Sequence, residues 1–123
     1  MGPLEGFCLA AGLGTRMGAL SQALPKPAWT LQHRTLLQWG FDLLARQGCR
    51  YGAANTHFQS DILKTLHLQS ELIHEPILMG SAGWFASVAP RVQEALMGWN
   101  GDAVANDVPF RELRANHLAS GAD

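Results

Sequence analysis

The stretch "GFCLAAGLGTRMG" (residues 6–18) begins as an apolar run and ends as a glycine-rich turn carrying one threonine and one arginine. Gly6 to Ala10 has the composition of a short buried strand. Gly12, Gly14 and Gly18 then break it in a turn that opens a short helix. A little further on, "LPKP" (residues 24–27) holds Lys26 between two prolines that restrict its backbone.

Working outward, Leu36, Leu37, Phe41, Leu44 and Ala45 recur at helical spacing from Thr35 onward, and Gly48 stands where a C-terminal cap belongs. "CRYGAAN" (residues 49–55) is a weak strand, because Gly52, Ala53 and Ala54 give a sheet little side chain to pack. Ser60 is placed to cap a helix carrying Ile62, Leu63 and Leu66, and "ELIHEP" (residues 71–76) reads as a strand closed by Pro76. Ala82 to Ala89 predicts another helix and Ala95 to Trp99 another short strand. Pro109 to Ser120 predicts a last helix, with proline at its start and Gly121 after its end. Strands alternating with helices imply a mostly parallel sheet covered by helices on both faces, an α/β sandwich.

A chain of 123 residues fits one domain over residues 1–123 with one small core, and no repeat or low-complexity tract divides it. Its 47% apolar and 15% charged residues suit a globular chain rather than a disordered one. The net charge of -1, without any run of lysine or arginine, argues against nucleic acid or an anionic membrane as partner. No apolar stretch is long enough to span a bilayer and the N-terminus has no leader pattern, so the expected location is cytoplasmic. Cys8 and Cys49 lack metal or redox spacing and read as buried free thiols.

In an open parallel sheet, ligands bind beyond the carboxyl ends of the strands, which is where the glycine turn falls. Glycines let backbone N–H groups approach an anion closely, and Arg16 offers a planar fork of donors for phosphate oxygens. Lys26 adds a second cation on a stiff segment. The dinucleotide pattern G-x-G-x-x-G fails because Met17 stands where its third glycine belongs, and the P-loop pattern is absent. An ordinary strand-to-helix turn with solvated Arg16 and Lys26 remains the other reading of these residues alone.

"LAAGLGTRM" followed by "LPKP" resembles the signature of the sugar-phosphate nucleotidyltransferases. "NTHF" (Asn55 to Phe58), "HEPILMGSAG" (His74 to Gly83) and "WNGD" (Trp99 to Asp102) look like that family's later segments, in the same order. The resemblance implies a three-layer αβα sandwich with a Rossmann-like sheet. It implies transfer of a nucleoside monophosphate from an NTP to a sugar 1-phosphate, with pyrophosphate released. It also implies that Ala11, Gly12, Gly14 and Thr15 face the nucleotide, that Gly80 and Ser81 approach the base, and that Arg16 and Lys26 neutralise phosphate charge. By the same resemblance Asp102 is a catalytic carboxylate holding Mg2+.

The likeness covers only about the first half of a typical family member, so the expected fold is a truncated version lacking most of the sugar pocket and a second acidic metal ligand. A nucleotide-binding module without catalysis is therefore a rival reading, and a molybdenum-cofactor-type nucleotidyltransferase is another. An open sheet edge is expected to favour self-association. Asp107 reads as a cap of the final helix, with a second acidic contact as the alternative, His57 and His74 as packed or hydrogen-bonded side chains, and Trp29, Trp39, Trp84 and Trp99 as core or sheet-covering residues.

Overall fold

The computed structural model describes residues 2–12, 18–19, 23–57, 60–64, 70–78, 80–105 and 107–121, leaving aside the side chains of Ser60, Ser81 and Ala82. The strands are β1 (Leu4–Leu9), β2 (Thr30–Leu31), β3 (Arg34–Thr35), β4 (Gly52–Thr56), β5 (Glu71–His74) and β6 (Val92–Asn100). The helices are α1 (Leu36–Arg46), α2 (Ser60–Lys64), α3 (Gly80–Val88) and α4 (Phe110–Ser120). Single 3-10 turns stand at Lys26–Ala28 and Ala89–Arg91.

The main sheet has the order β5-β4-β1-β6 and all its pairings are parallel. The chain builds outward from β1 through β4 to β5, then crosses back to place β6 on the other side of β1. That reversal is the switch point at which doubly wound sheets bind their ligands. Two apolar clusters mark the two covered faces. Cys8 and Ala54 pack with Leu37, Leu43 and Leu44 of α1, Leu63 of α2 and Phe110 of α4. Leu4, Phe7 and Ala53 pack with Val88 and Trp84 of α3, Trp84 stacking on Phe7 at 4.4 Å between ring centroids. The expected αβα layering is observed.

Local chemistry explains most element ends. Thr35 caps α1 in a capping box: its side chain accepts from the Gln38 N–H while the Gln38 side chain accepts from the Thr35 N–H. Gly48 follows that helix at φ +95°, and Gly121 follows α4 at φ +68°, both left-handed as the C-terminal cap positions require. The small residues of β4 belong to an inner strand paired on both sides, where Ala53 and Ala54 let helices close on each face.

Several expectations are corrected. β6 runs from Val92 to Asn100 rather than Ala95 to Trp99. Its register against β1 jumps from Leu4↔Val92 to Gly6↔Met97, so a bulge separates its two paired portions. α3 begins at Gly80 and ends at Val88, with Ala89 in the following turn. Asp107 does not cap α4. Pro109 holds the N-cap position without a side-chain hydrogen bond, and Asp107 Oδ1 instead accepts from Gln47 Nε2 at 3.2 Å. The β2–β3 hairpin has no counterpart in the sequence reading: its turn places Gln32 and His33 at positive φ, a conformation usually signalled by Asn or Gly. The cap role given to Ser60 and the helix opening from the glycine turn lie largely outside the described residues.

Both cysteines are free thiols, Cys8 buried and Cys49 half-buried. The four tryptophans are half-buried, and the ring N–H groups of Trp29, Trp39 and Trp99 donate to the backbone carbonyls of Leu24, Leu31 and Ala103. Among the described residues no helix is long and apolar enough to cross a membrane.

Candidate functional site

A cleft of about 410 Å³ opens at the carboxyl ends of the main-sheet strands. β1 contributes Leu9 and the residues after it, Ala10, Ala11 and Gly12. The loop beyond β6 contributes Asn100 and Asp102, and Asn55, Glu75, Leu78 and Gly80 form the side nearer β5. Lys26 and Pro27 close it from the 3-10 turn.

Lys26 is held by its neighbours. Pro25 and Pro27 are buried, the Ala28 N–H donates to the Pro25 carbonyl at 2.8 Å, and the Trp29 N–H donates to the Lys26 carbonyl at 2.9 Å. The prolines anchor the turn while the lysine side chain reaches into the cleft. Its Nζ stands 3.9 Å from Asp102 Oδ2, with the two side chains 25% and 46% exposed. A pair this long and this wet is weakly held, so each member is available to a ligand.

Asp102 reaches the cleft because Gly101 lets the chain fold tightly against β1. The Gly101 N–H donates to the Leu9 carbonyl at 2.8 Å, and a Cβ at Gly101 would lie 2.9 Å from that same oxygen. On the far side, Ala10 N–H donates to Asn55 Oδ1 at 2.7 Å and Asn55 Nδ2 donates to Glu75 Oε1 at 2.9 Å. His57 Nδ1 meets the Glu75 carbonyl oxygen, and the His57 and His74 rings stack 6.3 Å apart, in keeping with a hydrogen-bonded role.

Ala11, Gly12, Lys26, Gly80 and Asp102 are thus brought to one cleft. Ser81 lies in the first turn of α3, its side chain beyond description. Gly14, Thr15 and Arg16 lie outside the described residues. Asn55, Glu75 and Gly101 are cleft or cleft-shaping residues that were not singled out individually in the sequence. A charged residue between a strand end and a proline was the available signal for Glu75.

A second cavity, of about 420 Å³, lies at the amino ends of β1 and β6. Its Arg114 pairs with Glu94, and its Arg50 N–H donates to Glu5 at 2.6 Å. It is larger by a trivial margin. The carboxyl-end cleft is the better candidate, because it sits where the strand order reverses.

No family model matches the chain. The catalytic subunit beta of mannose-1-phosphate guanylyltransferase from Danio rerio is 24% identical over an alignment of 131 residues, which covers 98% of this chain and 36% of that protein. The crystal structure of HddC from Yersinia pseudotuberculosis superposes with a TM-score of 0.75 at 20% identity, covering 94% of this chain and 54% of HddC. The chain resembles sugar-phosphate nucleotidyltransferases. Mth528, a nucleotidyl transferase from Methanothermobacter thermautotroptrophicus, gives a TM-score of 0.68 at 19% identity, covering 97% of this chain and 57% of Mth528.

HddC is also known in complex with GMP-PN. Rv0371c from Mycobacterium tuberculosis, whose manganese complex superposes at a TM-score of 0.63, adds a metal-bound relative. The chain spans about a third of the guanylyltransferase subunit's length and just over half of the HddC and Mth528 chains.

Proposed function

We propose that this chain forms the nucleotide-binding half of a cytoplasmic enzyme that transfers a nucleoside monophosphate from an NTP to a sugar 1-phosphate. A phosphate oxygen of the sugar 1-phosphate attacks the α-phosphorus, the new P–O bond forms, and the bond to pyrophosphate breaks. One observation carries this reading: the turn after β1, Lys26 and Asp102 share a single cleft at the reversal of strand order.

Both reactants are anions, so catalysis by such a site is positioning plus neutralisation of charge. Ala11 and Gly12 offer close backbone approach to phosphate, and Gly14, Thr15 and Arg16 continue that turn in sequence. Lys26 supplies a fixed cation for the phosphates. Gly80 and Ser81 begin α3 at the opposite wall and take the base side.

Mg2+ is the proposed metal. Asp102 fits it as one hard, half-exposed carboxylate beside the phosphate-binding turn. Among the described residues no group of three His, Cys, Asp or Glu side chains stands together to hold a metal unaided. Mg2+ would therefore arrive with the nucleotide's phosphates and, when bound, draw off their negative charge.

A second reading, in which the chain binds Mg–NTP but turns little over, is favoured by the pairing of the cleft's other carboxylate, Glu75, with Asn55, which leaves Asp102 as the half-exposed carboxylate of the cleft among the described residues. Incubation with each common NTP, a panel of sugar 1-phosphates and Mg2+, with pyrophosphate measured, separates the two. Rapid release that is lost in Asp102→Asn supports a complete active site. Binding without release supports a binding half, and neither binding nor release removes the nucleotide reading altogether. Release with a molybdenum-cofactor precursor and no sugar phosphate would replace the acceptor.

A further inference from the structure

Asn55 stands near the end of β4, and its side chain does two things at once. Its Oδ1 accepts from the Ala10 N–H at 2.7 Å, and its Nδ2 donates to Glu75 Oε1 at 2.9 Å. Asn55 and Glu75 are each only 4% exposed. The three residues occupy the carboxyl ends of three neighbouring strands, β1, β4 and β5, so one amide spans the floor of the cleft. Glu75 is itself fixed from behind, because its N–H donates to the Thr56 carbonyl at 2.6 Å.

A buried carboxylate in a cleft shaped for a polyanion is expensive unless it does something there. Glu75 presents an acceptor that only a donor can satisfy, whereas the Ala10 N–H requires an acceptor. An asparagine amide meets both needs in one side chain, and its hydrogen bond to Glu75 fixes which end faces Ala10. Ala10 is the last residue before Ala11 and Gly12, so the direction of its N–H sets the path on which the glycine-rich turn begins.

We propose that Asn55 and Glu75 act as one positioning pair that holds Ala10–Gly12 in the geometry that receives the nucleotide. The inference rests on the nucleotide-binding reading above and concerns two cleft-lining residues to which that reading gives no role. Other charged or titratable groups nearby are Lys26 and Asp102 in the same cleft, His57 at the Glu75 carbonyl, and His74, which precedes Glu75 and stacks on His57.

The test exchanges donor for acceptor. In Asn55→Asp two buried carboxylates face each other, and affinity for Mg–GTP, Mg–ATP, Mg–CTP or Mg–UTP, whichever binds the parent, should fall by about tenfold or more. Glu75→Gln alone should change little, since its amide oxygen still accepts from Asn55. The double variant restores a donor–acceptor pair with the roles reversed and should return affinity to within about threefold of the parent. Hydrogen exchange at the Ala10 amide reads the same pair without nucleotide: faster in Asn55→Asp, where repulsion from Glu75 pushes the new carboxylate away from Ala10, and slow again in the double variant.

Should Asn55→Asp not fold, Glu75→Leu strips the acceptor from Asn55 and is expected to bind at least several-fold more weakly with a cooperative melt. A double variant as weak and as fast-exchanging as Asn55→Asp overturns the pairing, as does parent-like behaviour in Asn55→Asp or, if that variant does not fold, in Glu75→Leu. A parent that binds none of the four nucleotides sinks the nucleotide reading instead, and the Ala10 exchange rates then decide the pair by themselves.

Discussion

Gly101 donates its N–H to the carbonyl of Leu9 at 2.8 Å, tying the loop after β6 to the end of β1. That bond is the reason Asp102, distant from the glycine-rich turn in sequence, shares a cleft with it. The fold thereby places a carboxylate, a lysine and a close-approach backbone around one space.

Gly101→Ala tests this junction. Its added methyl would stand 2.9 Å from the Leu9 oxygen, a contact relieved only by moving backbone. The expected cost is about 1 to 3 kcal/mol of stability. Nucleotide affinity should fall as Asp102 is displaced. Chemical denaturation and calorimetry check the two effects, and parent-like values in both would show that the junction is soft.

The weak pairing of Lys26 with Asp102 predicts unequal consequences for stability and binding. Lys26→Ala should change unfolding free energy by less than about 1 kcal/mol. If the lysine meets phosphate, the same change should weaken Mg–NTP binding by about 1.5 to 3 kcal/mol. Calorimetry across a range of salt measures it, with the parent's affinity falling faster than the variant's as salt rises.

The cysteines predict an alkaline response. Burial, with a smaller contribution from Cys49, pushes the Cys8 thiol up to about 12, and burial together with Glu5 pushes Cys49 up to about 11 despite Arg114. Raised folded values mean that the unfolded chain loses these protons first, so stability should hold below the ordinary thiol value of 9.0 and decline above it. At pH 8, iodoacetamide should label Cys49 slowly and Cys8 only after unfolding, as mass spectrometry reads directly.

Glu71 predicts the opposite limb. The Arg91 guanidinium hydrogen-bonds its carboxylate, with Nη2 2.7 Å from Oε2, and holds its pKa below the usual range. A lowered carboxylate contributes stability above its unfolded pKa and loses that contribution as pH falls through the lower folded value. Arg91→Ala should therefore be less stable than the parent at neutral pH and approach it in strong acid, a convergence that urea melts at several pH values follow. A penalty that persists unchanged in acid would assign Arg91's role to its bond with the Gly2 carbonyl instead.

The alternation of strands and helices was legible in the sequence because α1 carries a clear apolar period and both Thr35 and Gly48 announce its ends. So was the location of the glycine turn beyond β1. The hairpin at Thr30–Thr35 was not, because Gln32 and His33 adopt left-handed backbone without the residues that usually mark it. The start of β6 was hidden by its bulge, which interrupts the alternation between Val92 and Met97. At the cleft, Lys26 and Asp102 were read from motifs. Asn55 and Glu75 fall inside the family-like stretches NTHF and HEPILMGSAG, but their partnership depends on strand order, a long-range property that local pattern does not encode. Asp107 was misread for the same reason, its partner Gln47 lying at the end of a distant helix.

The central claim is that nucleotide binds at the carboxyl ends of β1 and β6. Titrating the isotopically labelled chain with Mg–NTP while following backbone amide resonances tests it most directly. The account predicts saturable shifts concentrated at Ala10, Ala11, Gly12, Gly80, Gly101 and Asp102. Shifts centred on Glu5, Gly48 and Arg111 around the opposite cavity, or none at millimolar nucleotide, would contradict it.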